Sequence, residues 1–204
     1  MGDCTEFKEH REVFKRVREA LEDERNGRYR EEFERALDLL VKSYDTRNHE
    51  NRFVVGGAVE VLFCALLRAL GFRCEWLRER RFDLRIDGRS FSIKSNFTGR
   101  GTLRLINVMG DGRVEWGEPT LFFIGGRGVF YADPCMDVRV KRESDALTIR
   151  AEEIFKAGGI WRINLKVPVK PKSSTRIRTA SYDVARSVLE QIGSILLREH
   201  LPEG

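Results

Sequence analysis

FDLRIDGRSFSIKS, residues 82–95, is the stretch whose pairing decides the fold. Asp87-Gly88 is a strong two-residue hairpin signal between two runs that can both be strands. A turn there predicts the pairs Ile86–Arg89, Arg85–Ser90, Leu84–Phe91, Asp83–Ser92 and Phe82–Ile93. Strand side chains alternate faces, so Phe82, Leu84, Phe91 and Ile93 make one apolar side. Asp83, Ser92 and Lys94 fall on the other, with Lys94 the diagonal neighbour of Asp83. A carboxylate and an ammonium therefore converge in front of a hairpin whose back is core. A cross-strand ion pair on a solvated surface is the alternative reading of the same pattern.

The preceding segment, FVVGGAVEVLFCALLRAL at 53–70, is apolar nearly all round and predicts a buried helix. Glu60 is its single carboxylate. At about 100° per residue, Glu60 shares a stripe with Phe53, Gly56, Gly57, Phe63, Cys64 and Leu67. Carboxylates are rarely buried without a partner. Asp83 and Lys94, or a cation held with them, are the nearest later candidates; a side chain reaching water past the two glycines is the other.

A helix carrying Glu60, then Leu70-Gly71-Phe72, a strand carrying Asp83, a short hairpin and a strand ending in Ile93-Lys94 together resemble the core of the PD-(D/E)xK nuclease superfamily. That superfamily includes many type II restriction endonucleases, archaeal junction resolvases and repair nucleases. The resemblance covers residues 52–96 and departs from the pattern at two positions. Phe82 stands where the motif has Pro, and Ser92 where it has a second acid. Some restriction enzymes of the superfamily have Ser-x-Lys and draw the acid from elsewhere; Glu60 is the expected substitute.

The resemblance implies an α/β (α+β) fold, with a restriction-endonuclease-like core whose mixed central β-sheet is flanked by helices. One domain, 1–204, would hold N-terminal helices (1–51), the catalytic core (52–96), and the remaining sheet, a DNA-contacting segment and a C-terminal helix (97–204). It implies a Mg²⁺-dependent endonuclease, with Mn²⁺ as substitute, cutting double-stranded DNA in the manner of a type II restriction enzyme. A junction or repair nuclease and a non-catalytic DNA-binding protein on a degenerate core are the other readings. Asp83 and Glu60 would hold the metal, with Lys94 and Ser92 beside them. A homodimer is expected, because a symmetric DNA site is matched by two-fold protein symmetry.

The 204 residues are 41% hydrophobic and 34% charged, which suits a single soluble globular domain. A net charge of +5 permits a nucleic-acid partner. Glu60 and Arg68 interrupt the longest apolar run, so no membrane span is expected, and the first residues are too charged for a signal peptide. A cytoplasmic protein with reduced cysteines follows. The scattered histidines argue against zinc.

Elsewhere the pattern predicts amphipathic helices over 5–26 and 28–43, a polar connection over 44–52 and a strand over 72–79. SNFTGRGTLR at 95–104 brings Arg100 and Arg104 after the Lys94 strand, as phosphate contacts or as a plain surface loop. Residues 103–108 are expected to pair with 114–116, and 120–124 with 129–132 across a glycine turn. A short helix at 152–156 and a strand at 160–169 follow. Lys166, Lys170, Lys172, Arg176 and Arg178 then lie in a stretch without acids, suited to phosphates or to a solvated linker. Ser181 is expected to cap a last helix, 182–199, with Ile192, Ile195 and Leu196 inward.

Overall fold

The computed structural model describes residues 5–46, 48–79, 81–107, 115–143, 146–157, 161–169 and 176–203. Its helices are α1 (Lys8–Glu22), α2 (Gly27–Ser43), α3 (His49–Ala69), α4 (Ala151–Ala157) and α5 (Ser181–Gln191). Its strands are β1 (Cys74–Trp76), β2 (Leu84–Ile86), β3 (Arg89–Asn96), β4 (Thr102–Asn107), β5 (Thr120–Ile124), β6 (Gly128–Ala132), β7 (Val140–Arg142), β8 (Ala146–Arg150) and β9 (Arg162–Ile163).

The hairpin closes where the sequence places it. Asp87 and Gly88 take φ of 45° and 82°, the left-handed values that a two-residue turn between twisted strands requires. Ile86 pairs with Arg89, Arg85 with Ser90 and Leu84 with Phe91. Beyond Leu84 the ladder becomes irregular: the Asp83 N–H donates at 2.9 Å to the carbonyl of Phe91, which already faces Leu84. Asp83 is thus offset from the regular pair with Ser92, and Phe82 is half-buried outside any strand.

The hairpin is built into a six-stranded mixed sheet of order β1-β2-β3-β5-β6-β9, in which β3 is an inner strand running parallel to β5. This α+β arrangement matches the expected fold class. β5 and β6 read TLFFI and GVFYA and are buried throughout, as strands covered on both faces must be. Leu121, Phe123, Val129 and Tyr131 point to a core shared with α1, α2 and α3. Phe122, Ile124, Phe130 and Ala132 point the other way, onto Leu103, Leu147, Ile149 and Ile154. That second layer is a three-stranded sheet, β4-β8-β7, with α4 beside it.

Several expected elements differ. α3 starts earlier than predicted, because Asn48 in the polar connection accepts the Glu50 N–H and caps it. The strand over 72–79 shortens to β1. β4 pairs with β8; of its expected partner, 114 lies outside the described residues and Trp116 is buried outside a strand, its indole N–H on Thr120. The alternation over 160–169 survives as buried Ile163, Leu165 and Val167. The ladder, however, stops at Ile163, because the N–H groups of Leu165 and Val167 turn to carbonyls two residues back. Gly193 (φ 64°) ends α5 well short of 199 and leaves Ile195 75% exposed. Ser181 is not the cap: Ala180 is, and the Ser181 side chain packs on α3. Cys64 and Cys74 are free thiols as expected, but Cys135 is disulfide-bonded; Cys4 lies outside the described residues. Among the described residues no helix is long and apolar enough to cross a membrane.

Candidate metal and phosphate site

The irregularity at Asp83 shapes the site. With its backbone drawn to Phe91, the Asp83 carboxylate swings over the next turn of β3. Its Oδ2 accepts from the Ile93 N–H at 2.5 Å and from the Ser92 hydroxyl at 3.1 Å. Lys94 reaches back along its own strand: Nζ donates to Ser92 Oγ at 2.8 Å and to the Ile93 carbonyl at 3.0 Å, and stands 3.7 Å from Asp83 Oδ2. Ser92 is therefore the bridge between acid and base, on the face opposite buried Phe91 and Ile93. Asp83 Oδ1 has no protein donor among the described residues.

Glu60 reaches the same place from α3. Its Oε2 accepts the indole N–H of Trp76 at 3.0 Å, while Oε1 has no donor among the described residues. Burial, and after it the Asp83 charge, pushes the Glu60 carboxyl up to about 8; the Trp76 hydrogen bond and Lys94 pull the other way without offsetting this. The two carboxylates repel each other, and with one oxygen of each uncommitted among the described residues they form a donor set short of positive charge. Mg²⁺ takes one or two carboxylates, with water and phosphate oxygens completing its shell, and the pair fits that requirement. No group of three or more His, Cys, Asp or Glu side chains suited to a metal occurs among the described residues.

Trp76 is the participant that sequence reading missed. β1 pairs with β2 so that Trp76 faces Leu84, which sets its ring beside the strand leading from Asp83. Tyr182, at the start of α5, stacks on the ring at 6.5 Å between centroids and 24° between planes. The Arg78 guanidinium lies 4.9 Å from the ring centroid, a cation–π distance. The indole is thereby fixed with its N–H on Glu60. Its place in an alternating strand before the hairpin is the signal that could have found it.

The expected DNA contacts separate. Arg100 is exposed in the turn after β3, its carbonyl accepting from Asn96 and Thr98. Arg104 sits on β4 in the smaller sheet, opposite Thr148. Arg176 and Arg178 are exposed on either side of buried Ile177. Lys170 and Lys172 lie outside the described residues. No family model, curated protein or solved structure matches this chain.

Proposed function

We propose that the protein is a metal-dependent endonuclease that hydrolyses phosphodiester bonds in double-stranded DNA, most like a type II restriction enzyme, acting in the cytoplasm as a homodimer. The observation that carries this reading is the convergence of Glu60 and Asp83 carboxylates beside the Lys94 ammonium, with burial and mutual repulsion raising Glu60 to about 8. Repulsion of this kind is relieved by a divalent cation. Mg²⁺ or Mn²⁺ held by Asp83 and Glu60 would supply charge to polarise the scissile phosphate and lower the pKa of an attacking water. Lys94, steered by Ser92 and the Ile93 carbonyl, orients that water or balances charge growing on the phosphoryl oxygens. Ser92 bridges the two through its hydroxyl, while the Lys94 ammonium stays within ion-pair distance of Asp83, 3.7 Å from Oδ2. The Trp76 hydrogen bond favours the ionised form of Glu60 without offsetting its burial, and a bound cation would complete that shift.

A second reading rests on Ser92 itself. With a hydroxyl in place of an acid, Asp83, Ser92 and Lys94 already satisfy one another, as they would in a DNA-binding protein that has lost catalysis. Mn²⁺ titration followed by electron paramagnetic resonance separates the two. The nuclease reading expects a bound fraction that Asp83→Asn and Glu60→Gln each abolish. A wild-type protein that leaves all Mn²⁺ free favours the non-catalytic reading.

A further inference from the structure

Among the described residues, no packing contact accounts for Gly56. It lies in the middle of α3, where glycine costs about 1 kcal/mol relative to alanine. A Cβ built there meets nothing within 4 Å. Its neighbour Gly57 differs, since a Cβ there would come 2.4 Å from Ser181 Oγ, so the α3–α5 packing requires that glycine. At about 100° per residue Gly56 falls on the same stripe as Arg52, Phe53 and Glu60. Arg52 and Phe53 are exposed. This stripe leads along the helix surface to the Glu60 carboxylate.

The basic segment flanks it. The Ile177 N–H donates at 2.8 Å to Asn51 Oδ1, and Asn51, fully buried, donates in turn to the Asp45 carbonyl at 3.0 Å. A buried amide is thus spent on pinning residue 177 to the first turns of α3. Four residues later Ser181 touches Gly57, and Tyr182 lies on Trp76. The chain from 176 to 182 therefore runs beside α3 towards Glu60, on a fixed backbone unlike that of a solvated linker. Arg176 and Arg178 project outward from it and have no ion-pair partner among the described residues.

We infer that the α3 surface along Arg52, Gly56 and Glu60 is the bed for one strand of the nucleic-acid substrate, with Arg52, Arg176 and Arg178 neutralising phosphates beside Gly56 and Glu60 taking the strand at its end. The inference rests on the nucleic-acid reading of the neighbouring site. From Arg52 to Glu60 the helix rises about 12 Å, room for roughly three nucleotides at about 3.4 Å each. Glycine at 56 lets the backbone of that strand approach the helix surface. Lys, Arg and close backbone contacts position nucleic acid irrespective of sequence, so this bed supplies affinity and not base choice.

The test uses the full chain, a fluorescent mixed-sequence duplex of about 40 base pairs and Ca²⁺ in place of Mg²⁺, with anisotropy read across a salt series. Gly56→Leu should fold with unchanged or higher thermal stability and keep Mn²⁺ binding, yet weaken duplex binding roughly tenfold or more. Arg176→Gln with Arg178→Gln should flatten the slope of log K against log salt by about 1.8. Wild-type binding and Mg²⁺ cleavage with both variants unchanged would overturn the bed alone and leave the nuclease reading standing. The expected variant losses without any Mg²⁺ cleavage would uphold the bed and remove the nuclease. A wild-type protein that does not bind the duplex overturns both.

Discussion

Replacing Glu60 by glutamine should stabilise the metal-free protein, and only at high pH. Glu60 has an unfolded-state value near 4.5 and a folded value of about 8. The unfolded state therefore loses this proton between about pH 4.5 and 8 while the folded state keeps it, so stability falls as pH rises across that window. Below it both states are protonated and Glu60 costs nothing; above it the penalty is complete and constant. A gap of about 3.5 pH units at about 1.4 kcal/mol each sets a ceiling near 5 kcal/mol. Glu60 retains some solvent contact, and screening brings the expected range to about 2–5 kcal/mol. Glutamine is nearly isosteric, keeps an acceptor for Trp76, and has no charge to set against Asp83. In EDTA, urea unfolding at pH 9 should show Glu60→Gln more stable than wild type by that amount, with no difference near pH 4.5. Mn²⁺ should then raise the wild type and leave the variant unmoved, since a ligand stabilises only the state that binds it. A variant advantage that is the same at both pH values, or a variant less stable at pH 9, refutes the argument that Glu60 and Asp83 are held together against their charges.

Trp76→Phe keeps a ring for Tyr182 and Arg78 but removes the N–H from Glu60; Mn²⁺ affinity should fall roughly 10–100-fold while circular dichroism stays unchanged. Gly57→Ala should cost about 1–3 kcal/mol in urea unfolding through its collision with Ser181, whereas Gly56→Ala should gain up to about 1 kcal/mol. Asp133 is fully buried and receives Arg11 through two bonds of 2.8 and 2.9 Å. Arg11→Ala strands that carboxylate, with Tyr131 and the Cys135 N–H still donating, and should cost about 3–5 kcal/mol on thermal unfolding.

The sequence carried the local part of this site well. Asp87-Gly88 sets the register of the hairpin by turn geometry alone, and period-two patterning then separates Asp83, Ser92 and Lys94 from Phe91 and Ile93. Glu60 was legible because a carboxylate in an apolar helix demands company. The offset at Asp83 was not legible: it comes from a side chain that prefers the Ile93 N–H to a regular ladder position, a choice made only once β3 is fixed against β5. Trp76 escaped because its role depends on Tyr182, more than 100 residues later. The pairing of β4 with β8 is similarly non-local, and short apolar runs do not declare which partner covers them. The C-terminal helix was overextended because Ile195 and Leu196 fit the helical period, while Gly193 and the Glu32 carboxylate, which takes up the Leu196 and Leu197 N–H groups, end it first.

Cleavage of supercoiled plasmid tests the central claim most directly. Purified wild-type protein should convert it to nicked and linear forms with Mg²⁺ and leave it intact in EDTA. Asp83→Ala and Lys94→Ala should each remove the activity while still shifting the DNA on a gel. Plasmid left supercoiled by the wild-type protein with either Mg²⁺ or Mn²⁺, or cleavage that survives loss of Asp83, would contradict the account.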